Sequence, residues 1–259
     1  MIFVTGDCHG EFRKFTSRRF PQGLKLTRND FVIICGDFGG IWAGSTEYDR
    51  LKSENFWIQW LGRKNFTTLF IDGNHENHAR LNEMPVTEWH GGRVHKLADS
   101  VMHLMRGEVY EIGGKRIFTF GGAASHDISD GIIDSADPDW KLQCHYFRMQ
   151  GKILYRVKGV TWWEEELPSE EEMQHGLENL EKYGNSVDYI FTHCAPTSLQ
   201  AQISDMYASD RLTDYLENVR KRVSYQKWFF GHYHDDRRIT EKDFLLYDAI
   251  VSPEHLQFD

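Results

Sequence analysis

Phe70-Ile71-Asp72-Gly73-Asn74-His75-Glu76 is a short apolar run that stops at a glycine and then presents an amide, an imidazole and a carboxylate in succession. Four other segments follow the same plan. Ile2-Phe3-Val4-Thr5 runs into Gly6-Asp7-Cys8-His9, and Phe31-Val32-Ile33-Ile34-Cys35 into Gly36-Asp37. Tyr189-Ile190-Phe191-Thr192 leads to His193, and Trp228-Phe229-Phe230 to Gly231-His232-Tyr233-His234. Continuous apolar runs of this length read as strands covered on both faces.

Helical stretches separate these strands. The sequence predicts a short helix over 11–20, a longer one from Ser45 to Leu61 with Tyr48, Leu51, Trp57 and Leu61 near one face, and one or two turns over His78–Asn82. Strand–helix–strand alternation implies parallel pairing in an α/β fold. Short strands are expected at Val101–Met105, Glu108–Ile112 and Arg116–Phe120, the last two joined at Gly113-Gly114 as an antiparallel hairpin. Ser169-Glu170-Glu171-Glu172 reads as a capping box and Gly184-Asn185 as the end of its helix. Ser209-Asp210 opens another helix, and the segments 237–240 and 244–247 suggest a terminal hairpin. We expect one domain over 1–259, with an irregular insertion at about 123–166 acting as a lid or substrate-selecting segment.

Composition narrows the functional classes. The chain has 259 residues, 40% hydrophobic, enough for a sizeable core. Its longest apolar runs, about six residues, fall far below the roughly 20 a membrane helix needs. No basic leader precedes the first strand, which points to the cytoplasm. The four cysteines read as small buried thiols rather than disulfides. A net charge of −9 argues against extended nucleic-acid binding and leaves room for a phosphoester drawn to a local cationic centre.

Open α/β sheets bind ligands at the carboxyl ends of their strands. Asp7, His9, Asp37, Asn74, His193, His232 and His234 would converge there. Mixed oxygen and nitrogen donors in this number exceed one tetrahedral ion and suit two divalent ions: Mn, Fe, Zn or Ni. A carboxylate can bridge such a pair, and two ions can activate water for in-line displacement at phosphorus. Gly-Asp or Asp-x-His alone is usually a turn; the ordered set after five apolar runs is what carries the signal.

Taken in order, Asp7-Cys8-His9, Gly36-Asp37, Gly73-Asn74-His75-Glu76, His193 and Gly231-His232-Tyr233-His234 resemble the calcineurin-like metallophosphoesterases. The resemblance implies two stacked mixed β-sheets flanked by helices, with a binuclear metal site at one rim. It implies Asp7, His9 and His234 on one metal, Asn74, His193 and His232 on the other, and Asp37 as the bridge. It implies a metal-bound hydroxide as nucleophile and His75 as proton donor to the leaving oxygen. One departure stands out. Protein phosphatases of the family read Gly-Asp-x-x-Asp-Arg-Gly, whereas here Gly36-Asp37-Phe38-Gly39-Gly40-Ile41 lacks the second aspartate and the phosphate-clamping arginine.

Arg80, His126, Asp127, Arg148 and Arg156 are the candidates to supply the missing contacts, with Trp140, Trp162 and Trp163 as aromatic candidates whose default role is packing. Gly121-Gly122-Ala123-Ala124-Ser125-His126-Asp127 and Trp162-Trp163-Glu164-Glu165-Glu166 are similar to stretches of a bacterial subgroup of that family. The expected activity is hydrolysis of a small-molecule or nucleotide phosphoester, mono- or diester. A serine/threonine phosphatase, a nuclease and a non-catalytic module on the same fold are the alternatives. The last is disfavoured because every ligand position and His75 are retained.

Overall fold

A computed structural model describes residues 1–44 and 46–256. The predicted helix start at Ser45 lies outside the described residues. Strands β1 (Ile2–Thr5), β2 (Phe31–Cys35) and β3 (Thr67–Ile71) lie where their apolar runs predict, and they pair in parallel. Helix α1 (Tyr48–Gly62) and the short α2 (His78–Asn82) follow β2 and β3. β4 (Val86–Trp89), β5 (Gly92–Ala98) and β6 (Val101–Leu104) complete a six-stranded mixed sheet in the order β1-β2-β3-β6-β5-β4.

The second sheet begins with the hairpin of β7 (Glu108–Ile112) and β8 (Lys115–Phe120), whose Ile112–Lys115 pairing closes the Gly113-Gly114 turn. Both glycines have positive φ, 59° and 75°, as a two-residue hairpin turn requires. The insertion follows, built of β9 (Gly131–Asp134), α3 (Trp140–Met149) and β10 (Tyr155–Lys158). Beyond it come α4 (Glu170–Lys182), β11 (Tyr189–Thr192), α5 (Thr197–Ile203), α6 (Arg211–Arg222), β12 (Lys227–Phe230), β13 (Arg237–Arg238) and β14 (Asp243–Leu245). The sheet runs β13-β14-β12-β11-β8-β7, with β8, β11, β12 and β14 parallel.

The two sheets stack on a shared apolar layer that includes Val4, Ile33, Ile71, Phe191 and Phe229. Outer layers cover the other faces. Phe12, Phe38, Leu61 and Phe70 pack on the first sheet, and Leu199, Leu212 and Leu216 on the second. The resulting α/β sandwich, two mixed sheets flanked by helices, matches the expected architecture. Among the described residues, no helix is long and apolar enough to cross a membrane.

Several expectations need correction. Residues 11–20 form only a 3₁₀ turn at Arg13–Phe15, because Phe12, Lys14, Phe15 and Phe20 are all buried and do not share one helix face. Leu61 is buried on α1 as expected, joined by Glu54, but Tyr48 is exposed. The insertion is not irregular. β9 and β10 pair in parallel across α3, and Ile133, Cys144 and Val157 form a small core of their own. All four cysteines are buried free thiols, as expected.

Candidate metal centre

Each candidate donor sits one to four residues beyond a strand end. Asp7 and His9 follow β1, Asp37 follows β2, Asn74 and His75 follow β3, His193 follows β11, and His232 and His234 follow β12. β1, β2 and β3 are neighbours in one sheet, and β11 and β12 in the other. The stacking therefore brings both donor sets to one rim.

The turns are tight enough to need unusual backbone. His9, Asp37, His232 and His234 have φ of 47°, 41°, 71° and 51°. Residues other than glycine rarely adopt this left-handed region, and clusters of such strain mark functional sites. The preceding glycines are enforced by space. A Cβ on Gly73 would strike the Asp37 carboxylate, and one on Gly231 the Asp7 carboxylate.

Asp7 Oδ2 lies 3.2 Å from His234 Nε2 and 3.7 Å from His9 Nε2, and the two imidazole nitrogens face each other at 3.0 Å. Asp37 reaches both ways: Oδ2 is 3.7 Å from His9 Nδ1, and Oδ1 is 3.3 Å from His193 Nε2. His193 Nε2 is also 3.3 Å from Asn74 Oδ1, and its ring lies 4.9 Å from that of His232. His193 Nδ1 is 2.8 Å from the Cys35 carbonyl, which fixes Nδ1 as its donor and leaves Nε2 free to ligate. All seven predicted donors are thus brought together.

The charge balance suits cations. Asp7 Oδ2 is buried and accepts no hydrogen bond among the described residues. An orphaned buried carboxylate oxygen is costly unless a cation meets it. Burial alone would raise the Asp37 carboxyl, but His193, His75 and His9 hold it far below the usual range. Burial lowers His193, yet Asp37 and Asp7 override it and draw the imidazole up. A hydrogen bond to Asp7 likewise draws His234 up, whereas burial lowers His9 and His232 and favours the neutral imidazole that ligates divalent ions. Oxygen and nitrogen donors in this array fit two such ions.

A supporting layer that sequence reasoning missed orients Asn74. Its Nδ2 donates to Ser125 Oγ at 3.3 Å, and the Ser125 hydroxyl donates to Glu166 Oε2 at 2.6 Å. The Ser125 N–H donates to Glu166 Oε1 at 2.8 Å, so the two ends of the insertion close on the Asn74 amide. Glu76, the last residue of the opening motif, accepts from the Phe38 N–H at 2.7 Å and braces the Asp37 turn.

His75 adjoins these donors, with a ring nitrogen within 4.8 Å of ligand atoms of His9 and Asp37. Its N–H donates to Asp37 Oδ1 at 2.7 Å, and its ring stacks on Trp42 at 5.4 Å with 24° between planes. Arg156 Nη2 is 3.3 Å from His75 Nε2, and Asp127 Oδ2 holds the same guanidinium at 2.6 Å. His126 Nε2 is 3.4 Å from His232 Nε2.

Of the predicted substrate contacts, His126 and Asp127 border the centre, while Arg80 and Arg148 do not. Arg80 is engaged by Glu54 at 2.9 Å and the Ala43 carbonyl at 2.7 Å, and Glu54 in turn accepts from the Trp42 N–H at 2.7 Å. Arg80 therefore secures the Trp42 turn. Arg148 is exposed and donates to Tyr155 Oη at 3.2 Å. Trp140 packs in the insertion and Trp163 edges onto Trp42 at 5.4 Å. Trp42 itself, which contacts His75, gave no signal because an isolated Trp in a Gly-rich loop has no motif.

Residues 1–236 match the family described as calcineurin-like phosphoesterase. Lariat debranching enzymes of Danio rerio and Homo sapiens are each 24% identical, over 90% of this chain and 40% and 42% of theirs. Lariat debranching enzyme A of Xenopus laevis is 29% identical over 51% of this chain and 26% of its own length. The chain thus spans less than half the length of these curated relatives. The family match spans nearly the whole chain, so the chain belongs to the calcineurin-like phosphoesterase family.

Proposed function

We propose that this protein is a di-metal phosphoester hydrolase of the cytoplasm, acting on a compact substrate such as a nucleotide or another small phosphoester. The observation that carries the reading is Asp37, whose two oxygens face different imidazoles, Oδ1 toward His193 at 3.3 Å and Oδ2 toward His9 at 3.7 Å. Asp7, His9 and His234 would hold one ion, Asn74, His193 and His232 the other, and Asp37 both. Two divalent ions there would supply positive charge to the phosphoryl oxygens and activate water.

The chain's own residues do the rest. His75 donates a proton to the departing alkoxide, its ring stacked on Trp42 and its backbone held by the main-chain N–H on Asp37. Arg156, anchored by Asp127, takes the phosphate-clamping role of the absent Asp-Arg pair. Ser125 and Glu166 hold the Asn74 amide with its oxygen toward the ions.

Aryl phosphate and bis-aryl phosphate assayed with added Mn²⁺ test this. Metal-dependent turnover of either is expected; turnover of neither by metal-loaded protein would replace the hydrolase with a binding module. The name of the relatives supports a second reading, a nuclease that debranches a short substrate. The net charge of −9 weighs against an extended nucleic-acid partner. A panel of short oligonucleotide diesters separates the two.

A further inference from the structure

Beside the metal centre, on the His75 side, lies a cavity of about 500 Å³, within the about 300–1,000 Å³ range of small-ligand sites. It opens on His9 and His75. Phe12, Trp42 and Trp57 line it with aromatic carbon, and Arg50, Ser53 and Thr161 add polar groups.

The cavity is built, not incidental. Gly39 and Gly40 border it. Neither glycine can be replaced freely. A Cβ on Gly39 would sit 2.5 Å from Gly10 N, and one on Gly40 would strike the Phe38 ring. Trp42 is pinned by Glu54, which also accepts from the Ala43 N–H at 2.5 Å and pairs with Arg80. Trp57 is braced edge-on by Phe12 at 5.8 Å and by Trp60 at 5.2 Å.

Its position relates to the chemistry. The proton donor must face the departing oxygen, so the group attached to that oxygen lies on the His75 side. Rigid indole walls bind flat rings, and the guanidinium and hydroxyl groups suit a ring with hydrogen-bonding edges. We propose that this cavity is a leaving-group site for a nucleoside, binding the base between Trp42 and Trp57, with Ser53 and Arg50 at its polar edge. The proposal rests on the hydrolase reading for its orientation but concerns a binding site of its own.

The test titrates adenosine and ribose separately into the purified protein, with binding followed by calorimetry and ligand-detected NMR. Adenosine is expected to bind at least ten-fold more tightly than ribose. Ser53→Trp, at an exposed position of α1, fills the cavity and should weaken adenosine binding at least ten-fold with its melting temperature unchanged. Trp57→Leu, which keeps apolar bulk but removes the ring, should do the same. Equal binding of adenosine and ribose, or full adenosine affinity in both variants, overturns the site. Bis-aryl phosphate turnover with Mn²⁺ is measured on the same wild-type preparation. Its absence, with adenosine bound as expected, overturns the hydrolase reading and leaves the nucleoside site standing; turnover without adenosine preference does the reverse.

Discussion

Arg156 Nη2 lies 3.3 Å from His75 Nε2, although 81 positions separate the two residues. One comes from the metal-side turn after β3 and the other from the inserted β10. A cation held beside His75 and anchored by Asp127 at 2.6 Å is well placed to donate to a phosphoryl oxygen. A charge-assisted hydrogen bond is worth about 1.5–3 kcal/mol. Arg156→Ala is therefore expected to lower kcat/KM roughly ten- to hundred-fold. Arg156→Lys should recover little, since an ammonium cannot bind Asp127 and phosphate through a planar fork. Steady-state kinetics with metal content measured in parallel checks both; unchanged kinetics would remove Arg156 from the site.

His75→Ala should lose ~10²–10⁴-fold in kcat, the usual contribution of general acid catalysis. It should keep its ions, because the seven other candidate donors remain to hold them. Elemental analysis of purified protein decides the point. A variant stripped of metal would make His75 a ligand and reassign the proton donor.

Metal should stabilise the fold as well as the reaction. Ligand at a hundred times its Kd adds about 2.7 kcal/mol. Mn²⁺ titrated into chelator-treated protein is thus expected to raise Tm by several degrees, and Asp37→Ala should abolish most of that rise. A Tm insensitive to Mn²⁺ in the wild type would contradict a preformed centre.

Ser125→Ala removes the acceptor of the Asn74 Nδ2 bond and the donor to Glu166. Loss of an outer partner of a ligand typically costs about 10–100-fold in metal affinity. Competition with a metal-binding dye measures it. Wild-type affinity in this variant would show that Asn74 needs no orientation from the insertion.

Acid should destabilise the protein through His78. Its ring is buried, with Nε2 3.1 Å from the Gly73 carbonyl. Burial, then the Arg106 charge, lowers it to about 4 despite Asp72. The unfolded imidazole titrates near ~6.5. Between those values the unfolded chain binds a proton that the folded chain refuses. Stability is full above the higher value, falls as pH drops, and stops falling near the lower one, a loss of up to about 3 kcal/mol. His78→Gln, which retains a donor, should flatten Tm against pH over this window. An unchanged slope would assign the acid sensitivity elsewhere.

The strands and their donors were legible because each is a local pattern, an apolar run ending at a turn, read within ten residues. β4 and β5 were missed. They carry Glu88, Arg93, His95 and Lys96 among their apolar positions and lie toward the sheet edge, where β4 is largely exposed. The insertion hid its order for another reason. β9 and β10 pair across α3, so neither strand has a neighbour in sequence to announce it.

The sequence alone determined the family and pointed to the seven candidate donors and to His75, because ligand chemistry and strand-end glycines are written in adjacent residues. The tertiary structure alone decided which arginine stands at His75, which serine holds Asn74, and that Gly39, Gly40, Trp42 and Trp57 border one cavity. Those relations join residues from different strands and helices, and only the stacking of two sheets and the closing of the insertion bring them within contact distance.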